Sequence, residues 1–221
     1  MFEIIPSILT NSPQEALSDL EKLNDVILPH GFPLDRVQID IVDGQFAENK
    51  TIEPDALANI ETKLKLDFHL MTSEPIDWVE RCVRAGGERN IGQIELMANQ
   101  FSFVGKVQEV GLAVGLALNI DTEIERLDDS LLSSLDVVLL MSYPAGMGGQ
   151  EFDIRVLDKV KRLVGMRGEN IKPFKICVDG GVTPDNIKSV KMAGADEVVI
   201  GKRLISGDIE ENFEKFYKAL Y

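Results

Sequence analysis

The chain has 221 residues, of which 44% are hydrophobic, an ordinary size and apolar content for a single α/β barrel with one large core, so one domain over residues 1–221 is expected. A formal net charge of −14 argues against a nucleic-acid partner, because binding a polyanion rests on a basic face that displaces counterions. The only cysteines, Cys82 and Cys177, show no paired spacing, and no long uncharged apolar run or basic leader is present; a reducing cytoplasm is expected, with no disulfide framework and no membrane span.

Residues 3–9 form a short apolar run that reads as a first strand, and Ser12 before Pro13 starts a helical period over 13–27. A second strand is expected over 36–42 and a third over 66–71, followed by Ser73, Pro75 and a helical stretch to 85. Strand 90–96, helix 101–110, strand 113–118 and strand 136–141 come next. Helix 154–164, strand 174–178, a helix from Thr183 and Pro184 to 193, and strand 197–200 complete the series. Roughly eight strand–crossover pairs of this kind predict a (β/α)8 barrel. A doubly wound open sheet is built from the same alternation and is the rival. Its phosphate-binding glycines normally follow the first strand, where this chain has Thr10, Asn11, Ser12 and Pro13. The glycines cluster late instead: Gly146, Gly148 and Gly149 after the sixth run, Gly180 and Gly181 after the seventh, Gly201 after the eighth. Phosphate sites around the last strands of a barrel have that distribution.

In a barrel the working face lies where the strands end. Gln38 and Asp40 share one face of the second run, His69 ends the third with Asp67 on its own face, Asp179 ends the seventh, and Ser7 lies near the end of the first. Each has an ordinary structural explanation by itself, as turn cap, satisfied core histidine or backbone-bonded hydroxyl. Together they place polar groups at one depth on several apolar strands, which points to a site, since carboxylates are rarely buried there unpaired. Two carboxyls flanking a bound sugar exchange a carbon-bound proton, one removing it and the other returning one to the opposite face, which is an epimerisation. Gly180, Gly181 and Gly201 permit close backbone approach to phosphate oxygens, with Lys202 as the neighbouring cation or, equally, a solvated surface lysine. Gly146, Met147, Gly148 and Gly149 form a glycine-rich loop expected to close over a reactive enediolate and exclude water.

The ordered motifs are Pro6 to Leu9, Asp40 to Gly44 with Phe46 and Asn49, Asp67 to Met71, Leu118 with Asn119, Leu140 with Met141, Pro144 to Gln150, Val178 to Gly181, and Gly194 to Asp196 leading to Gly201. They resemble the ribulose-phosphate 3-epimerase family and its hexulose-phosphate relatives across nearly the whole chain. The resemblance implies a ribulose-phosphate-binding barrel with Asp40 and Asp179 as the acid/base pair. It further implies a phosphorylated ketose substrate contacted by Ser7, His69, Gly146 to Gly149, Gly180, Gly181, Gly201 and position 202. A homo-oligomer and a divalent metal (Zn, Fe, Mn or Co) on Asp40, His69 and Asp179 are also implied, with no organic cofactor. The chain departs from the family pattern at Gln38 and Gln93, where histidines are usual, at Val42 for a methionine, and at Lys202 for a serine. A glutamine carbonyl can ligate a hard cation but is a poorer zinc ligand than imidazole.

Three functions follow from these observations. The first is a 3-epimerase of a pentulose or hexulose phosphate. The second is a non-catalytic phosphosugar-binding homologue that has lost the metal site. The third is a related decarboxylase or aldol-type synthase, which would resemble an Asp, Lys, Asp set on the third strand; Asp67, Phe68, His69, Leu70, Met71 contains no lysine.

Overall fold

The first and last strands hydrogen-bond to each other in parallel, Glu3 opposite Glu197 through Pro6 opposite Ile200, which an open sheet does not permit. The computed structural model, which describes residues 2–168 and 173–221, has eight strands in a closed barrel in chain order. They are β1 Glu3–Ile8, β2 Arg36–Val42, β3 Lys65–Met71, β4 Gly87–Gln93, β5 Ala113–Leu118, β6 Val137–Met141, β7 Lys175–Asp179 and β8 Glu197–Ile200. The fold is a (β/α)8 barrel.

Helices α1 Pro13–Asn24, α2 Val79–Arg84, α3 Gln100–Glu109, α4 Val156–Arg167, α5 Ile187–Ala193, α6 Lys202–Ile205 and α7 Ile209–Ala219 surround it. Ser12 caps α1 as expected, its Oγ accepting from the Glu15 N–H at 3.3 Å. Ser73 is not a cap: its own N–H donates to Asp43 Oδ2 at 2.7 Å, and a 3₁₀ turn, Pro75–Trp78, leads into α2. Thr183 likewise precedes a turn, with α5 beginning at Ile187 after Asn186 has accepted from the Thr183 N–H at 2.8 Å. Two crossovers carry no α-helix: Pro54–Leu57 after β2, and Ile124–Arg126 with Asp129–Ser134 after β5, are all 3₁₀. The C-terminal α7, beyond the last predicted strand, is capped by Asp208 and buries Phe213 and Phe216.

Alternation along each strand separates two cores. Outward side chains such as Ile39, Phe68, Leu116 and Val178 pack under the helices. Inward ones, among them Ile5, Val42, Ile91, Leu139 and Val199, fill the barrel. Strand β4 starts three residues earlier than the apolar pattern placed it, because its inward Arg89 is accommodated by ionic partners. Arg89 is 4% exposed and donates to Asp67 Oδ2 from Nε and Nη2 at 3.0 and 2.6 Å, and to Glu197 Oε2 from Nη1 at 3.0 Å. Arg36 reaches the other Asp67 oxygen, and Lys175 reaches Glu197. Asp67 therefore shares a face with His69 but belongs to an ionic plug in the barrel's N-terminal half. Both cysteines are buried and free.

Candidate active site

Register carries the polar residues to one end of the barrel. Ser7 lies opposite Gln38, Asp40 opposite His69, and Met141 opposite Asp179. Gln38, at the centre, is fully buried, and its Nε2 donates to Asp40 Oδ1 at 2.8 Å and to Asp179 Oδ2 at 2.7 Å. His69 Nδ1 faces the same two oxygens at 3.4 and 3.6 Å. With the Gln93 amide turned so that nitrogen donates to Glu95 Oε2 (2.8 Å) and the Ala117 carbonyl (2.9 Å), its oxygen accepts from His69 Nε2 at 3.3 Å. Glu95 Oε1 in turn accepts from the Asn119 N–H at 2.7 Å and the Thr122 hydroxyl at 2.6 Å. The imidazole is thus fixed from both sides.

Burial raises the Asp40 carboxyl above its ordinary value; hydrogen bonding from His69 and Gln38 opposes this, and the Asp179 charge adds to it. Burial alone would push His69 down, but hydrogen bonds and charge from Asp179 and Asp40 outweigh it and lift the imidazole to about 9. Relative to free side chains, the centre therefore favours the cationic imidazole and shifts Asp40 toward its neutral form.

These groups open into a cleft of about 1050 Å³ whose lining includes Ser7, Asp40, His69, Gly146 to Gly149, Asp179 to Gly181, and Gly201 to Arg203. All of the residues picked out as substrate contacts line it, with Lys202 and Met147 exposed at its surface. The turn after β7 requires glycine at both positions. Gly180 has φ +106 and a Cβ there would lie 2.6 Å from Tyr143 Cε1; Gly181 has φ +59 and its Cβ would lie 2.6 Å from the Phe152 backbone nitrogen. The loop after β6 is tied by side chains: Asn49 Nδ2 donates to the Gly146 carbonyl at 3.0 Å, Asn119 Oδ1 accepts from the Ala145 N–H at 2.6 Å, and Gln150 Nε2 bridges the Pro144 and Met147 carbonyls at 3.0 and 2.8 Å.

Tyr143 was not picked out from sequence, yet its ring stands against Gly180 in the cleft, and its phenol is held protonated by burial and by the charges of Asp179 and Asp40. Extending the inward alternation of Leu139 and Met141 past the end of β6 would have found it. Asp43, in contrast, is structural. Burial pushes its carboxyl up, but the backbone N–H groups of Phe46, Ser73 and Gln45 outweigh this and hold it below 3.8. Asp43→Ala is expected to cost about 1 kcal/mol in urea unfolding near neutral pH, discounted for partial exposure. Because the folded value is depressed, that contribution is present above the unfolded value and lost as pH falls through the folded one. The gap between wild type and variant should narrow below about pH 4.

Asp40, His69 and Asp179 each offer a ligand atom, all within 4.8 Å of one another, a buried triad of the composition that holds divalent ions. The fourth side of this arrangement does not fit one. Gln38 turns an N–H donor, not its carbonyl, toward both carboxylates, and its Oε1 is buried with no hydrogen-bond partner among the described residues.

The ribulose-phosphate 3 epimerase family pattern matches residues 3–205. The chain belongs to this family. It is 31% identical over 210 residues to the ribulose-phosphate 3-epimerase of Treponema pallidum (strain Nichols), covering 94% of this chain and 93% of that protein. It is 32% identical to the enzyme of the same name from Bacillus subtilis (strain 168), covering 91% of each. Among solved structures, a 3-hexulose-6-phosphate synthase superposes with a TM-score of 0.69 at 13% identity, covering 100% of both chains. Orotidine 5′-phosphate decarboxylase from Pyrococcus horikoshii OT3 gives 0.62 at 14%, covering 98% of each. At such identities these two establish the shared barrel alone.

Proposed function

We propose that this family member is a 3-epimerase of a ketose phosphate, with ribulose 5-phosphate as the first substrate to test and a hexulose 6-phosphate as the second. The carrying observation is that Asp40 and Asp179 converge on one buried centre and line the same cleft as the glycine turn at 180–181. One carboxylate takes the proton from C3, the C–H electron pair moves into the C2 carbonyl to give an enediolate, and the other carboxyl delivers its proton to the opposite face of C3. The proton gained by one acid and lost by the other re-equilibrates through cleft water before the next turnover. His69, cationic near neutral pH, offsets the charge that develops on the enediolate.

At the other end, backbone N–H groups around Gly180, Gly181 and Gly201 and the ammonium of Lys202 receive the phosphate, and Ser7 Oγ lines the space between. The Gly146 to Gly149 loop covers the sugar and excludes water. The test is C3 proton exchange with deuterated solvent, followed by NMR, on ribulose 5-phosphate and allulose 6-phosphate. Epimerisation with exchange at C3 supports the reading, and absence of both on each substrate rejects it. Both acids are retained and line the cleft, which favours catalysis over a non-catalytic binder.

Tyr143 gives a narrower expectation. Its hydroxyl stands by the glycine turn, so Tyr143→Phe should raise KM roughly two- to tenfold, the scale of one lost hydrogen bond, with a smaller change in kcat. Steady-state kinetics on the preferred substrate check this; an equal fall in kcat and kcat/KM would place the hydroxyl in the chemical step instead.

A further inference from the structure

We propose that the Gln38 amide takes the place of a cation in this centre, making it a metal-independent proton-exchange site. This rests on the epimerase reading above for its chemistry, but its structural claim stands separately. A cation between two buried acids would offset their repulsion, fix their spacing and orient them toward opposite faces of a substrate. Here one nitrogen performs the last two tasks. Gln38 Nε2 has two hydrogens and uses one on each acid, at 2.8 Å to Asp40 and 2.7 Å to Asp179. It also lies 3.4 Å from His69 Nδ1, so it occupies the space among all three candidate ligands. An ion bonding those oxygens at roughly 2.0–2.2 Å could not share that space with the amide nitrogen.

The orientation of the amide follows from the charges around it. Turning it over would aim Oε1 at two carboxylates and leave a buried N–H2 facing away from both acceptors. The observed orientation leaves only Oε1 unpartnered, and it gains two hydrogen bonds to acidic oxygens, the stronger kind. Position 38 is held by β2, with Gln38 opposite Ser7 on one side and Asp67 on the other, so backbone register directs the amide into the centre. Gln38 does not line the cleft, and it acts through the two aspartates as a positioning residue.

The experiment combines metal binding, amide NMR and exchange on the purified full chain. The Gln38 side-chain resonances are assigned by their loss in Gln38→Glu. In chelator-treated wild type they should be protected from solvent exchange, and titration with Mn²⁺, Co²⁺ or Zn²⁺ should leave them in place. Metal analysis should find far less than one ion per chain, and C3 exchange should survive chelation. Gln38→His should bind Co²⁺ more tightly than wild type by at least the roughly 10- to 100-fold that even outer-shell changes produce at metal sites. Gln38→Leu should lose about 10²–10³ in exchange rate, the scale of one preorganised donor, and displace the acidic limb of the pH–rate profile.

One tightly held ion per wild-type chain, with the Gln38 protons released from protection when it binds, would overturn the proposal by showing that the amide rotates to ligate through Oε1. Unprotected amide protons in the metal-free protein would overturn it as well. If no phosphoketose is turned over, the functional reading fails, while NMR and metal titration still decide the bridge. If Gln38→Leu does not fold, the wild-type amide and the Gln38→His titration decide it.

Discussion

Asp179→Asn and Asp40→Asn should each slow C3 epimerisation by about 10²–10⁴-fold, the usual contribution of a positioned acid or base, while leaving the protein folded. The two losses should differ in kind. Each carboxyl serves one face of C3, so removing one leaves the other able to exchange the proton of only one epimer with solvent. Asp40→Asn and Asp179→Asn should then wash deuterium into opposite epimers without interconverting them. NMR of each sugar phosphate incubated separately in deuterated buffer reads this directly. Equal residual exchange from both epimers in both variants would show that a single group serves both faces, and the two-acid reading would fail. Each asparagine still accepts from Gln38 through its side-chain carbonyl, so circular dichroism and melting should change little.

Most of the architecture was readable because barrel strands have to be apolar on both faces except where function or an ion pair intervenes. The runs at 36–42 and 113–118 coincide with β2 and β5, and Asp40, His69 and Asp179 stood out as polar interruptions at matching depth. Where the pattern misled, the reason lies in tertiary contacts. Strand β4 begins with Gly87, Glu88 and Arg89, a polar start that becomes a strand only because Asp67 and Glu197 receive Arg89 inside the barrel. Local spacing carries no trace of a partner 108 residues away. In the sequence Gln38 reads as the absence of an imidazole, with no sign that its amide bridges two acids, because that depends on β2 and β7 facing one another across the barrel. Gln93 likewise looked like a second lost histidine. In the fold it takes the outer nitrogen of His69 and passes the hydrogen-bond chain to Glu95. Tyr143 is hidden for a simpler reason: it lies two residues beyond the end of β6, outside the apolar run that marks the strand.

The largest stability effect is expected at the opposite end of the barrel from the chemistry. Arg89→Leu leaves Asp67 and Glu197, both fully buried, without the guanidinium that links them. Arg36 and Lys175 each reach one of the acids from the edge and cannot replace the shared contact. Breaking a buried ion pair from one side costs about 3–5 kcal/mol, which for a chain of this size is roughly a 10 °C fall in melting temperature. The penalty should also depend on pH. Burial pushes the Glu197 carboxyl up, but Arg89 and Lys175 outweigh this and hold it below 4.5. At Asp67 burial wins and leaves the carboxyl raised, although Arg89 and Arg36 pull it down. Arg89 thus lowers both acids, and the wild-type advantage over Arg89→Leu should shrink as pH falls through the carboxylate range and the stranded acids become protonated. The decisive comparison is the triple variant Asp67→Leu, Glu197→Leu, Arg89→Met, which removes the three buried charges and leaves Arg36 and Lys175 at the edge. Apolar replacement of buried ion-paired groups as a set is often neutral or stabilising, so the triple variant should recover much of the loss in urea unfolding. Recovery would show that the plug is costly only when broken. A triple variant as unstable as Arg89→Leu would mean instead that the shape of the ionic cluster, and not its charge balance, holds the barrel's N-terminal half together.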